Sequence, residues 1–564
     1  VIFAGAVDWR SLAAADDTRP AVWFSGRLDD VAAFAVSIGA NAAIPPAELI
    51  GLAVARRGIA ILDTLYGEFA LAVVEPKSRQ LHLMRDATGQ RPLLFVSDSH
   101  GVRFGSAPRD LGLALRPDLA GLAAFLDGHA ALQEGTALAG VRQVRPGEIV
   151  TIAPERLTRR YWWQPIAEPE PFDPRRDYAE EYRAHLAEAV RLRLPSGPVA
   201  THLSAGWDSG AVTSAAAALA GPDRVTAFTA VPWRPVEGAI MRHADPDESP
   251  LAALTANHLG IHHRLLREKS DPFANARAFI ADAQAPLPDA FHLGWWNAAR
   301  DAARGVGATV LLTGELGNLS LNASGLPMLR WLVTRGHYRQ AWRESAALVA
   351  AGTVRRRGAA ATALAHCIPA PLFDWARTTF GGGIPSTAGG FLRPKRRRVT
   401  PPTAPGGNPH ADRLAQIRAS DFGTFRHLSQ QRWGLAETDP TADRRLVEWS
   451  LRLPSETLLN DGVLRPMARR ALHGRLPDAV LASPLRGLQS ADWYQQAGAV
   501  DCRRLLAEIR EHSLARDFLD IAAIEQAIDN WPTGDWNSPA VYGRYRVSLF
   551  DALCAGLFIA HFAP

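Results

Sequence analysis

Within this 564-residue chain, Ser204-Ala205-Gly206-Trp207-Asp208-Ser209 is the stretch whose residue types could do chemistry most directly. Val199, Thr201 and Leu203 alternate ahead of it and an Ala- and Val-rich run follows. That spacing predicts a strand, a tight loop and a helix N-terminus. Unpaired backbone N–H groups at a helix start form an anion site, where Gly206 allows close approach and Ser204 and Ser209 add hydroxyl donors. A carboxylate beside a phosphate repels it unless a divalent cation lies between them, so Asp208 reads as a Mg²⁺ ligand. The same residue types also suit a helix capped by Ser and Asp.

LSAGWDS resembles the Ser-Gly-Gly-x-Asp-Ser loop of ATP-pyrophosphatases that adenylate a carboxylate or amide carbon. The resemblance implies ATP binding by Leu203, Ser204, Ala205, Gly206, Asp208 and Ser209. Ala205 replaces the first Gly of the pattern, which is tolerable only where positive φ is not needed. The longer G-x-x-x-x-G-K-S/T loop is not present here, so simple γ-phosphate transfer is not expected.

A second informative stretch is 308–325, where Val310, Leu311 and Leu312 read as a buried strand running into Thr313-Gly314-Glu315-Leu316-Gly317-Asn318. It resembles the Ser-Gly-Glu-Gly-Ala-Asp loop of asparagine synthetases, whose Asp holds a second Mg²⁺. Asn318 keeps an oxygen ligand but loses the charge, so metal binding should be weaker, or partly supplied by substrate carboxylate and phosphates. A simple Gly/Asn turn after a strand fits the same residues. By the same resemblance Thr229, Thr313 and Gly314 complete the ATP site.

The stretch 440–448 is similar to the family pattern Glu-x-Arg-x-Pro-Phe-Leu-Asp-x-Arg-Leu-Val-Glu. Pro440, Asp443, Arg445, Leu446, Val447 and Glu448 fit it, whereas the family's glutamate falls on Ala436, beside Glu437, and its arginine on Thr438. Substrate recognition must therefore differ from that of asparagine synthetase. Glu437 is a candidate catalytic residue by this resemblance, and a surface role suits it equally.

Farther on, Gly462-Val463-Leu464-Arg465 and Arg486-Gly487-Leu488-Gln489-Ser490-Ala491-Asp492 follow the same family order. Arg486 stays protonated and cannot easily act as a base, so it would stabilise negative charge on the reacting phosphate or the leaving groups. A capped surface loop is the rival reading. Arg486-Gly487-x-Gln489-x-x-Asp492 resembles lasso-peptide macrolactam synthetases more than asparagine or β-lactam synthetases, which implies substrate contacts at Gln489 and Asp492.

His258 and His262 lie four apart in a segment that reads as a helix, which raises a zinc pair. The H-E-x-x-H glutamate is missing, and the resemblance makes these histidines mostly structural.

The elements that must position these groups fall into two units. In the first, Phe69, Leu71 and Val73 alternate, Pro76-Lys77-Ser78-Arg79 reads as a turn, and Leu81 and Leu83 resume the alternation, predicting a hairpin. Gly67-Glu68-Phe69-Ala70, Arg85-Asp86-x-x-Gly89-x-Arg91-Pro92-Leu93, Phe104-Gly105-Ser106, Arg145-Pro146-Gly147 and Tyr161-Trp162 resemble the glutaminase domain of asparagine synthetases. That implies an αββα sandwich over 1–164 whose nucleophile is an N-terminal cysteine. The sequence begins at Val1 and shows no cysteine before Cys367, so the expectation is a glutaminase-like fold that makes no ammonia, with Arg85 and Asp86 as a turn-stabilising ion pair.

Residues 165–176 are Pro-rich and charged and read as a linker. From 177 to 564, the order helix, strand, loop, helix, strand implies an α/β unit with a doubly wound parallel sheet and nucleotide at the strand C-termini. Basic runs at 355–357 and 393–398 and a Gly run at 381–383 read as mobile loops, with docking of an acidic peptide as the other use.

Composition agrees with two globular units, since 47% hydrophobic and 21% charged residues are ordinary values. A formal charge of +5 is small for this length, and no nucleic-acid partner is expected. Cys367, Cys502 and Cys554 are far apart and lack metal spacing, which fits a reduced cytoplasmic compartment. The most apolar runs, 58–74 and 547–563, are interrupted by Asp63, Glu68 and Asp551, so neither a signal peptide nor a membrane span is expected.

The resemblance therefore implies a lasso-peptide cyclase. ATP and Mg²⁺ would activate an Asp or Glu side chain of a precursor peptide, whose own N-terminal amine then closes a macrolactam. A leader peptidase and a leader-binding protein are implied as partners. The alternatives are a β-lactam-type synthetase, which a Tyr–Glu pair would favour, an ammonia-dependent asparagine synthetase, or a catalytically silent scaffold of a peptide-biosynthesis complex.

Overall fold

Alternation along the strand Gly67–Glu75 divides two hydrophobic cores. Successive side chains of a strand point to opposite faces. Ala70, Ala72 and Val74 accordingly pack with Phe95, Phe104 and Val150, whereas Phe69, Leu71 and Val73 pack with Trp162, Trp163, Val447 and Leu451. The structure, a computed structural model, describes residues 3–9, 19–128, 130–238, 240–241, 243–287, 289–369, 372, 388–397 and 406–563.

Strands β1 (Ala4–Asp8), β2 (Ala21–Leu28), β3 (Gly67–Glu75), β4 (Gln80–Arg85), β5 (Leu94–Ser97), β6 (Gly101–Gly105), β7 (Arg142–Gln143), β8 (Glu148–Ala153) and β9 (Arg156–Tyr161) build two antiparallel sheets. Their orders are β1-β6-β5-β7 and β2-β3-β4-β8-β9. The predicted hairpin is β3–β4, with Ala72 opposite Leu83.

Residues 165–176 contain no helix or strand, and the predicted helix that follows is Tyr178–Arg191, capped by the Asp177 carboxylate. Strands β10 (Val199–His202), β11 (Val225–Ala230), β13 (His262–Leu266), β14 (Val310–Leu312) and β15 (Ala436–Thr438) then form a wholly parallel sheet ordered β13-β11-β10-β14-β15. A two-residue strand, β12 (Ala244–Asp245), pairs instead with Arg486–Gly487. From β10 the chain winds one way through β11 to β13 and the other way through β14 to β15. Ligands of such sheets bind where the winding reverses, here at the C-terminal ends of β10 and β14.

Several expectations need correction. His258 lies in the helix Ser249–Leu259 and bonds the Gly474 carbonyl, but His262 opens β13, because Gly260 ends the helix in a left-handed conformation. The two do not share a helix face, and no metal pair forms. Arg85 does not pair with Asp86. It forms a two-pronged ion pair with Asp421 of the other unit at 2.9 and 2.6 Å, while Asp86 accepts the N–H groups of Thr88, Gln90 and Arg91. In the basic run, Lys395 and Arg396 are held by Asp517, whereas 381–383 and Arg398 lie outside the described residues.

The two units share a buried polar seam. Glu68 on β3 accepts from Arg193 Nε at 2.9 Å and from Thr438 Oγ1 on β15 at 2.6 Å, and Arg193 also reaches Asp443 at 3.2 Å. Burial works to raise the Glu68 pKa, but Arg193 and Arg27 outweigh it and hold the carboxyl well below its ordinary range. The helical run Pro539–Phe562 is long and apolar enough to cross a membrane by length and composition, but its Phe550–Phe562 part is packed into a core with Phe273, Phe279 and Leu505.

Candidate active site

The loop after β10 is closed by its own hydroxyls. Ser204 N–H donates to Ser209 Oγ at 3.0 Å, the two Oγ atoms lie 2.8 Å apart, and Gly206 N–H donates to Ser204 Oγ at 3.1 Å. Ala205 does not have positive φ, so its methyl costs the loop nothing, and its N–H donates to Glu248 Oε1 at 3.1 Å. The helix Trp207–Ala220 starts here and carries Asp208 in its first turn.

Asp208 is where the loops of β10 and β14 meet. Asn322 Nδ2 donates to Asp208 Oδ1 at 2.7 Å. A Cβ on Gly314 would lie 2.9 Å from the Asp208 carbonyl carbon, and one on Gly317 would lie 2.5 Å from Asp208 Cγ. Both positions therefore need glycine for space. Burial raises the Asp208 pKa to about 6, against the Asn322 hydrogen bond and the nearby Arg465 guanidinium.

These groups open on a cavity of about 450 Å³, lined by Ser204, Asp208, Ser209, Gly314, Asn318 and Gln489 on one side and by His202, Trp295, Trp296, Arg300 and Glu437 on the other. Trp295, Trp296 and Arg300 come from the helix Ala290–Gly305. The His202 ring stacks on Trp295 and lies against Trp296, at centroid distances of 4.8 and 5.4 Å, and burial lowers its pKa to about 4, so it is neutral.

Glu437 is buried, which excludes the surface role. Arg300 Nε donates to it at 2.7 Å, and the guanidinium lies over the Trp296 and Trp433 rings. Glu315 accepts from Arg426 at 2.9 Å, and burial together with Glu437 and Asp439 raises its pKa to about 7.

Other sequence-predicted residues stand farther back. Thr229 is buried and donates to the Leu203 carbonyl at 2.7 Å, with His263 Nε2 2.8 Å from the same hydroxyl. Thr313 donates to Glu315 at 3.1 Å. Both threonines shape the site through other groups.

Arg486 is exposed, and its N–H donates to the His243 carbonyl. Arg465 is near enough to both Arg486 and Asp208 to feel their charges. Burial and Arg486 lower the Arg465 pKa, and Asp208 opposes them. Gln489 faces the cavity, but Asp492 is buried and accepts from the N–H of Trp233 at 2.7 Å and from Gln496 at 3.1 Å, so it fixes the 233 turn.

Asp208 and Asn318 present oxygen donors to one cavity, a set suited to Mg²⁺. Among the described residues no group of three or more His, Cys, Asp or Glu side chains could hold a metal. The fit is therefore to an ion that keeps waters and takes phosphate oxygens, as Mg²⁺ does.

Sequence reasoning did not pick out Glu248, Asp289, His292, Arg300, Glu315, Asn322 or Arg426. Glu248 and Glu315 stood beside recognised motifs, and Asp289-x-x-His292 had i, i+3 spacing, but the cavity partners of the others lie more than 100 residues away, 137 for Arg300 and Glu437.

Residues 181–549 match the family model described as asparagine synthase, and residues 46–163 match the one described as glutamine amidotransferase domain. Glutamine-hydrolyzing asparagine synthetase 3 of Bacillus subtilis (strain 168) is 30% identical over 164 residues, 28% of this chain and 26% of that protein. The match thus spans about a quarter of the length of that curated relative. Two solved structures show weak likeness. Glutamine phosphoribosylpyrophosphate amidotransferase from B. subtilis, complexed with ADP and GMP, is 14% identical over 57% of this chain and 59% of that one, with a TM-score of 0.19. NH3-dependent NAD synthetase from Campylobacter jejuni is 16% identical over 26% of this chain and 59% of that one, with a TM-score of 0.17.

Proposed function

The chain belongs to the asparagine synthase family, and from that premise we propose that it is an ATP-dependent carbon–nitrogen ligase that joins a side-chain carboxyl of a peptide to the peptide's own N-terminal amine. The observation that carries the reading is the hydroxyl-closed loop at Ser204–Ser209, which lines one cavity with Asp208 and Asn318 where the parallel sheet reverses its winding. The helix N-terminus and both hydroxyls suit phosphate oxygens, and Arg465 and Arg486 supply positive charge for pyrophosphate leaving. Asp208 and Asn318 would hold Mg²⁺, which when bound offsets the charge between carboxylate and phosphates.

Two features favour a peptide over free aspartate. Thr438, where the family pattern has arginine, spends its hydroxyl on Glu68, leaving no cation there for an α-carboxylate. The far wall is aromatic, and about 450 Å³ falls in the roughly 300–1,000 Å³ range of sites for large ligands. Holding both ends of a prefolded peptide makes amine attack intramolecular, which supplies much of the rate. A leader peptidase and a leader-binding protein would deliver such a substrate.

The match of 46–163 to the amidotransferase model supports a second reading, an asparagine synthetase using ammonia. The deciding experiment supplies Mg-ATP with a leaderless candidate peptide or with aspartate and ammonium, and follows pyrophosphate, AMP and product mass. Peptide-dependent release of both with loss of one water is expected, and Asp208→Ala should lower it by more than about 100-fold. Turnover with aspartate and ammonium instead would decide for the second reading.

A further inference from the structure

Amide formation needs a group to take the amine proton, and most titratable side chains on the cavity wall are already engaged. Glu437 is bound by Arg300, Glu315 by Arg426 and Thr313, and the His202 ring is stacked on Trp295. His292 differs. It sits in the first turn of the helix Ala290–Gly305, and its Nδ1 lies 3.1 Å from Oδ2 of Asp289, the N-cap residue.

Asp289 is itself fixed. Its Oδ1 accepts the N–H groups of Phe291 and His292, both at 3.1 Å, and Arg546 donates to both carboxylate oxygens at 2.8 and 2.9 Å. A carboxylate so held keeps the Nδ1–H tautomer and leaves the Nε2 lone pair available. His292 Nε2 is buried and makes no hydrogen bond, while the residue lines the cavity together with Ser204, Asp208 and Gln489.

We infer that His292 is the general base for amine attack, with Asp289 as its positioning residue. The inference rests on the carboxyl-activating reading of this cavity. In the step, the amine nitrogen bonds to the acyl carbon and its proton passes to His292 Nε2. The bond from that carbon to the phosphate oxygen breaks, and AMP leaves with the electron pair. The charged and titratable neighbours of the ring favour this cycle. Burial, the largest effect, and Arg546 favour the neutral ring, while Asp289 and the Gln489 backbone stabilise the imidazolium.

The test compares the full-length wild type with His292→Asn and His292→Gln in three assays with one peptide and Mg-ATP. These are ATP–pyrophosphate exchange, amide formation by mass, and capture of the activated carboxyl by hydroxylamine, a nucleophile that needs no base at neutral pH. The expected result is exchange and hydroxamate within about twofold of wild type in both variants, with amide formation slowed about 100-fold or more. Retained exchange also shows that the variants fold. Amide formation within about tenfold of wild type, or equal losses in all three assays, overturns the role of His292 while leaving the ligase reading intact. A wild type that exchanges no pyrophosphate overturns both.

Discussion

Glu248 shows how much of this site is set by single buried side chains. Its carboxylate accepts the Ala205 N–H of the Ser204–Ser209 loop at 3.1 Å, and a Cβ on Gly487 would strike it. Burial raises its pKa to about 7, with Asp245 adding to the effect and the Ala205 and Gln489 bonds opposing it. A folded-state pKa above the unfolded value of 4.5 means that the native form binds the proton more tightly. Stability is then greatest at low pH and falls as pH rises from about 4.5 through 7. Glu248→Gln keeps an acceptor for Ala205 but cannot ionise, so it should exceed the wild type in stability by on the order of 1–3 kcal/mol at pH 8 and match it near pH 4. Urea melts at both pH values measure the difference, and equal stability at pH 8 would place the Glu248 carboxylate in water. At this scale the loop residues were legible because hydroxyls, glycine and carboxylate crowd into six positions. Asn322 was not, since nothing in its neighbourhood says that it will meet Asp208, 114 residues earlier.

At the scale of elements, the strand after which each loop follows was readable, and the packing of one loop on another was not. Val310–Leu312 stands out as an apolar run before a glycine-rich turn, and alternation gave β3 and β4. Helix and strand could not be told apart at His262, where the apolar spacing of 251–261 continues in sequence but Gly260 ends the helix in space. The contact of the β14 loop with the start of the helix Trp207–Ala220 carries its own prediction. Gly317→Ala would put a methyl carbon 2.4 Å from Asp208 Oδ1, and an overpacked contact of this kind typically costs about 1–3 kcal/mol. The turn Gly317–Leu319 or the Asp208 side chain must move, and either shift displaces the oxygen donors of Asp208 and Asn318 that line the cavity. Pyrophosphate release should fall at least about tenfold while the melting temperature drops modestly. Unchanged release, measured at saturating Mg-ATP, would show that the two loops have room to separate.

For the whole molecule, the two units are joined by buried charge at places where sequence alone gave no pairing. The motif Gly67-Glu68-Phe69-Ala70 marked β3, but Glu68 points into the seam and meets Arg193, just past the helix Tyr178–Arg191, and Thr438 at the end of β15. Thr438 follows Glu437, so the same strand end serves both the cavity and the seam. The antiparallel sheets thereby brace the far wall of the site even where they carry no chemistry of their own. Arg193→Met would remove the cation that faces Glu68 and Asp443 at once and leave both carboxylates buried without it. Breaking a buried pair in this way costs about 3–5 kcal/mol, because Asp443 loses its guanidinium and Glu68 keeps only the longer ion pair with Arg27 at 3.5 Å. The loss falls on the contact between the units, since Glu68 lies on β3 of the first unit whereas Arg193 and Asp443 belong to the second. The wild type should therefore unfold in one transition in denaturant, whereas the variant should unfold in two and be cut by protease within 165–176. Ligase activity should fall with the first of those transitions. A single transition moved by less than about 1 kcal/mol would mean that the apolar contacts of Trp162, Trp163, Val447 and Leu451 hold the units together without the charged seam.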